Sequence, residues 1–557
     1  MKRGLLTTLL VVSIILIIII LLAGYVYYQF NKEAYVPDNA MLIINLQGNI
    51  EDSDNSPLSK VTTLSDLWIN ISRAKIDNRI KGIVLLISDL STGFATVDDI
   101  GLFLKDFRKS GKKVFAFIKS GGIKEYQLAS YSDKVYSFKR GGLMLNGLAI
   151  HAMFIKNTLS KLGIEPDFLN IGEYKTGPNM FTKNTMNAPH KESYKKLIDD
   201  LFSSSIKIIA KNRDIDEKIV RDTISELVID NKIYLKRGII DGLKYEDEIY
   251  NKQKYKSISF TTYSGTSSPT PFTGKNKIAV IFAEGEIHTG SSGGKSIFGN
   301  KIVGSKTISA YLRSAAKDNS VKAVVLRVNS PGGSPFASDK IRHESELVMK
   351  KKPLVISMGD LAASGGYMIS LSSNKILSLP QTITGSIGVY GGKFVLKGLY
   401  DKAGITKEVL KTTKYADMFS DYRKFSDIEI KKYMNIMKNI YSFFIEETSK
   451  SRKMTLKEVE KVAKGRVWAG ASAKMLGLVD EFGGLLKSIQ IAAKLSGFND
   501  KYGFGIKIMP SKKSLINYLV DAVSSGGIST LQKIRLKIEK YNNFFPAMIM
   551  PVKFEIK

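Results

Sequence analysis

Two kinds of hydrophobic pattern run through the chain. The first is an unbroken apolar run over residues 5–24, preceded by Met1-Lys2-Arg3 and followed by Tyr25, Tyr27 and Tyr28. Twenty helical residues span about 30 Å, the thickness of a bilayer's hydrocarbon core. Cations on the short side and tyrosines at the far edge predict a membrane anchor over residues 1–30 with its N-terminus in the cytoplasm. The alternative is a cleaved signal peptide, for which the run is long and Leu22-Ala23-Gly24-Tyr25 a poor cleavage site. The second pattern is a series of short apolar runs (279–282, 323–328, 354–358, 375–379) alternating with helical periodicity such as 338–350. That alternation predicts βαβ units and an α/β fold.

The pattern also repeats at long range. Ile80-Lys81-Gly82-Ile83-Val84-Leu85 matches Val321-Lys322-Ala323-Val324-Val325-Leu326 at an offset of 241. The same offset carries Asp133-Lys134-Val135 to Asn374-Lys375-Ile376 and Lys161-Leu162-Gly163-Ile164 to Lys402-Ala403-Gly404-Ile405. So long a period means a duplicated domain, not a solenoid. The predicted organisation is an anchor (1–30), a first repeat (41–262), a linker (263–275, rich in Ser, Thr, Pro and Gly), a second repeat (276–500) and a C-terminal extension (501–557) of unknown role. Within that extension 544–550 is apolar but broken by Pro546, too short to span a bilayer.

Composition narrows the chemistry. The 557 residues carry a net charge of +31, mostly from lysine spread along the chain. With no arginine-rich arm, zinc-ligand spacing or aromatic RNA-binding motif, lysine this diffuse reads as a solvated surface, with a membrane-facing one as the alternative, and points away from nucleic acid. There is no cysteine, which excludes disulfides and thiol nucleophiles. The four histidines show no metal-ligand spacing, so a histidine base and a bound metal are both unexpected.

The repeat is most informative where it fails. Ser364, in Asp360-Leu361-Ala362-Ala363-Ser364-Gly365-Gly366-Tyr367, sits at a strand-to-helix turn with small neighbours; its counterpart is Ile123. Gly332 and Gly333 answer to Ser91 and Thr92, and Lys175 answers to Ala416. One half keeps a serine and a glycine pair, the other a lysine, as a single site shared between the halves requires. S-x-x-K spacing adds nothing, since three unrelated stretches satisfy it.

Ala362-Ala363-Ser364-Gly365-Gly366-Tyr367, Ser330-Pro331-Gly332-Gly333-Ser334, Thr384-Gly385-Ser386-Ile387-Gly388-Val389 and Gly465-Arg466-Val467-Trp468, together with Gly172-Glu173-Tyr174-Lys175, resemble the signal peptide peptidase A (protease IV) family in its long, duplicated form. The resemblance runs through residues 41–490 and ends before the tail; Thr176-Gly177-Pro178-Asn179 departs from the usual pattern. It implies two tandem Clp-protease/crotonase-like domains and a Ser–Lys dyad with Ser364 as nucleophile and Lys175 as general base. It further implies Ser386 holding the lysine, an oxyanion hole from Gly332 or Gly333 with the N–H of Gly365, and no cofactor. A homo-tetramer in the inner membrane, with its catalytic part on the periplasmic side and peptides as substrates, is the expected assembly. Two other readings of the same fold are a scaffold with a decayed site and an acyl-thioester enzyme. The first would not label at Ser364; the second would bind acyl-coenzyme A. Arg466 and Trp468 read as structural or interfacial.

Overall fold

A computed structural model describes residues 10, 13–14, 17–18, 21, 35–54, 61–294, 296, 299, 301–498, 503–511 and 548–549. The predicted anchor over 1–30 lies almost wholly outside the described residues, as does most of the tail. Among the described residues no helix is long and apolar enough to cross a membrane.

Each half is built on a sheet wrapped by helices, parallel throughout in the first half and parallel but for Val467–Ala469, which joins Ile383–Gly385 antiparallel, in the second. In the first, six strands run in the order Gly242–Leu243, Lys134–Ser137, Lys113–Ser120, Ile80–Leu90, Ala40–Gly48, Lys256–Ser259, all parallel. The second is built the same way around Val321–Ser330, which lies between Lys277–Glu284 and Leu354–Ala363. Val321–Ser330 reads as an almost continuous apolar run because a parallel strand between helix layers is buried on both faces. The duplication is visible element by element. The helices Leu64–Ile76 and Phe94–Arg108 recur as Ser305–Lys317 and Pro335–Met349, and Ala188–Arg213 recurs as Asp427–Arg452.

Two details differ from the sequence-based expectation. Gly505–Met509 pairs in parallel with Lys277–Glu284, as Lys256–Ser259 does with Ala40–Gly48, so the second half extends past residue 500. The stretch predicted as a linker is packed down on the first half. Tyr263 and Thr266 are buried, and the Arg73 guanidinium donates to the carbonyls of Thr266 and Ser268. The five-donor fork holds the polar part of the segment, while Tyr263 and Phe272 pack into the first half's core, Phe272 with its ring 5.1 Å from that of Trp68.

The halves are not separate beads. One hydrophobic core holds the first half's Leu85, Ile100 and Leu104 together with Val280, Val325, Val355 and Leu485 of the second. A two-stranded antiparallel sheet joins them again, Glu165–Ile171 against Val389–Val395, with Ile171 opposite Val389. This pairing sets the position of residue 175, four residues beyond the end of its strand.

Candidate active site

Ser364 stands where the strand Leu354–Ala363 turns into the short helix Gly365–Met368. Its backbone has φ 56° and ψ −117°, a conformation that costs a residue with a Cβ on the order of 1–3 kcal/mol. The turn is held by Ser364 N–H donating to Gly385 O at 2.8 Å and Met368 N–H donating to Ser364 O at 2.9 Å. Small neighbours are required here. A Cβ on Gly366 would lie 2.5 Å from Ser330 O, and one on Gly365 would lie 2.6 Å from Ser338 Oγ and 3.0 Å from Gly333 N.

Lys175 arrives from the other half and is completely buried. Its Nζ is 2.7 Å from Ser364 Oγ, 2.9 Å from the carbonyl oxygen of Ser386 and 3.0 Å from Ser386 Oγ. Burial drives the lysine pKa well below its ordinary value, because desolvation penalises the ammonium. Ser386 also has a positive φ, 52°, and its N–H donates to Arg466 O at 2.7 Å. The structure therefore brings together all three polar side chains singled out in the sequence, although Lys175 and Ser364 lie 189 positions apart.

The two candidate glycines are not equivalent. Gly332 N–H donates to Ser330 Oγ at 3.1 Å and is engaged within its own turn. Ser334 N–H donates to Ile287 O, in a parallel pairing centred on Gly333 and Ile287. Alternation along the strand then turns the N–H of Gly333 to the opposite edge, the edge beside Gly365. That same edge carries the backbone of Met548–Ile549 in antiparallel register, Gly333 opposite Met548 and Gly332 opposite Ile549.

The seat of the lysine was not legible in the sequence. A Cβ on Gly465 would stand 2.5 Å from the N and Cβ of Lys175, and Tyr174 N–H donates to Lys464 O at 3.0 Å. The Arg466 guanidinium lies over the rings of Tyr174 (4.8 Å) and Trp468 (4.4 Å) and pairs with Glu192 at 2.7 Å. The Gly-Arg-Val-Trp stretch was visible as a motif; what it touches lies almost 300 residues earlier in the chain. Among the described residues there is no group of three or more His, Asp or Glu side chains that could hold a metal ion.

A hydroxyl on a strained turn, an amine whose charged form burial disfavours, and amide donors beside them make an arrangement suited to acyl transfer from a peptide bond, the class of chemistry carried out by serine hydrolases. The family model for peptidase family S49 matches residues 106–257 and 346–499, once in each half. A chloroplast serine protease SPPA from Arabidopsis thaliana is 31% identical over 470 residues, covering 82% of this chain and 69% of that one. Protease 4 of Haemophilus influenzae is 31% identical over 84% of this chain and 78% of its own, and Protease 4 of Salmonella typhi 32% identical over 78% and 72%. The chain belongs to peptidase family S49, with the family domain present twice, and is a protease of that family.

Proposed function

We propose that the chain is a membrane-anchored serine endopeptidase, built from two Clp-protease/crotonase-like domains, in which Lys175 is the general base for Ser364. Its substrates are cleaved signal peptides and other small or unfolded peptides. The observation that carries this reading is the 2.7 Å contact between a buried amine of one half and a serine on a strained turn of the other.

A neutral amine has two N–H groups and one lone pair. The two oxygens of Ser386 take the N–H groups, leaving the lone pair to accept the Ser364 proton. As Oγ attacks the scissile carbonyl carbon, the proton passes to Nζ and negative charge develops on the carbonyl oxygen. The N–H groups of Gly333 and Gly365 receive that oxyanion; losing one such donor typically costs about 2.7–4 kcal/mol of transition-state stabilisation. The lysine ammonium then protonates the departing amine, and water hydrolyses the acyl-enzyme by the same steps in reverse roles. The antiparallel seating of Met548–Ile549 on Gly332–Gly333 supports a substrate held as an added strand on this edge. The apolar run over 5–24 supports the anchor, and with it a catalytic part on the periplasmic side of the inner membrane.

The test is the full chain in detergent, wild type against Ser364→Ala and Lys175→Ala, with peptide hydrolysis and labelling by a serine-reactive fluorophosphonate as readouts. Wild type is expected to hydrolyse peptide and label at Ser364, and both variants to fold and do neither. Hydrolysis by either variant overturns the dyad; an unlabelled, inactive wild type points to a scaffold.

A further inference from the structure

Two helices at the junction of the halves begin without a cap of their own. Phe94–Arg108 starts after Gly93, which has no side chain to accept from the first turn. The counterpart of Gly93 in the other half is Ser334, whose hydroxyl accepts from Ala337 N–H. At Gly93 the missing acceptor comes across the boundary from Asp360. Its Oδ1 accepts from Thr96 N–H at 2.8 Å, and its Oδ2 accepts from Gly93 N–H at 3.1 Å and Thr96 Oγ1 at 2.7 Å. A Cβ at position 93 would stand 2.2 Å from Asp360 Cγ, so the carboxylate fills the space of a local cap.

The exchange is mutual. Leu485–Leu495 of the serine half starts after Gly484, again without a side-chain cap, and Asp99 of the lysine half accepts from Leu485 N–H at 2.7 Å. A Cβ at position 484 would lie 1.7 Å from that oxygen. The other Asp99 oxygen is 2.7 Å from Nη1 of Arg327, a completely buried cation that also reaches Asp52 at 3.2 Å and the carbonyl of Met358 at 3.2 Å. A carboxylate at a helix N-terminus satisfies orphan N–H groups and meets the positive end of the helix dipole. Here each half depends on the other for that service.

Asp360 lies on the strand that delivers Ser364, four residues upstream. We propose that Asp360 and Asp99 are positioning residues for the reaction: each caps a helix of the opposite half, Phe94–Arg108 and Leu485–Leu495 respectively, and together they lock the lysine-bearing half onto the serine-bearing half. This rests on the dyad reading above, since only a nucleophile and base from different halves need such a lock. Misplacement of reacting groups by about 1 Å can cost on the order of a hundredfold in rate.

The experiment separates cross-boundary capping from helix stability. Full-length Asp360→Ala is compared with Asp360→Ala combined with Gly93→Ser, which supplies a local cap hydroxyl in the vacated space, as Ser334 does in the other half. Tm and the pH profile of kcat/KM are measured for both, with wild type and Ser364→Ala alongside. Asp360→Ala is expected to lower Tm and to lower kcat/KM by about tenfold or more, with the acidic limb moved to higher pH as the lysine loses part of its burial. Adding Gly93→Ser is expected to recover Tm while kcat/KM and the limb stay where Asp360→Ala put them. Recovery of kcat/KM together with Tm, or wild-type kcat/KM in Asp360→Ala, overturns the proposal and leaves an ordinary helix cap. If Asp360→Ala alone does not fold, the double variant decides by the same readout. Residual hydrolysis by Ser364→Ala would instead sink the dyad, whatever the Asp360 variants show.

Discussion

Lys175 is the residue on which pH acts most directly. Its pKa in the folded chain is well below the ordinary 10.5, and burial alone is the cause. As the proposed base, Lys175 has to be neutral, so kcat/KM is expected to rise with pH through the lowered pKa and to level off before 10.5. An activity optimum near pH 5 would be incompatible with a lysine base. The same shift has a stability consequence of definite sign. Between the lowered pKa and 10.5 the unfolded chain binds a proton that the folded chain does not, so the lysine's contribution becomes more favourable as pH rises. The stability difference between wild type and Lys175→Met, from denaturant unfolding, is expected to move in favour of wild type by up to about 1.4 kcal/mol per pH unit in that window. A difference independent of pH would mean the buried amine stays charged. Ser386 accepts from the amine through both its oxygens and, in the proposed mechanism, takes no part in bond making. Ser386→Ala is expected to lower kcat by about tenfold with KM little changed, which steady-state kinetics would show.

At the scale of elements, much of the architecture was readable because parallel strands and duplicated sequence each leave a strong trace. The apolar runs at 323–328 and 375–379 lie on the strands Val321–Ser330 and Lys375–Ser378, and the helical pattern at 338–350 lies on Pro335–Met349. What escaped were pairings made between halves. Glu165–Ile171 carries Pro166 and Asp167 and is only partly buried, so neither alternation nor apolarity marks it as a strand. Its partner lies more than 200 residues away. Gly505–Met509 falls in the predicted extension because the family resemblance ends before it, whereas in the structure it is a strand at the edge of the second sheet. The serine and lysine stand out in sequence by being missing from the opposite repeat and by the motifs that carry the family resemblance. Gly465 is also absent from the opposite repeat, where the offset of 241 gives Ile224, but that contrast does not tell what the glycine packs against. Gly465 carries φ 82°, and a Cβ there would press on the Lys175 backbone. Gly465→Ala is therefore expected to cut kcat/KM by about a hundredfold while fluorophosphonate labelling slows in proportion. Unimpaired labelling would show that the lysine has another support.

For the whole molecule, the duplication leaves one pairing made and its counterpart open. Within the chain, Phe168 meets Phe394 with ring centroids 5.1 Å apart, and Leu169 packs against the core of the second half. The offset of 241 carries positions 153, 168 and 169 to 394, 409 and 410. Met153 is 69% exposed, Val409 48% and Leu410 101%, so the counterparts of three packed side chains stand in solvent. The same holds for the backbone: a Cβ on Gly163 would lie 2.4 Å from Gly398 C, while its counterpart Gly404 has nothing within 4 Å. A second copy that offers 148–154 to 406–412 would repeat the contact that Val389–Val395 makes with Glu165–Ile171. Such a contact joins unlike edges, so it propagates head to tail and closes into a ring if the rotation per subunit divides a full turn. Met153→Asp and Leu410→Asp, each in the full chain in detergent, are expected to give monomers by light scattering, with peptide hydrolysis retained because both Lys175 and Ser364 come from one chain. Mixing the two variants decides between geometries. Each keeps the edge that the other lacks, so a head-to-tail interface yields dimers on mixing that neither variant forms alone. An interface between like edges predicts no gain in mass, and that result would rule out the pairing of 148–154 with 406–412.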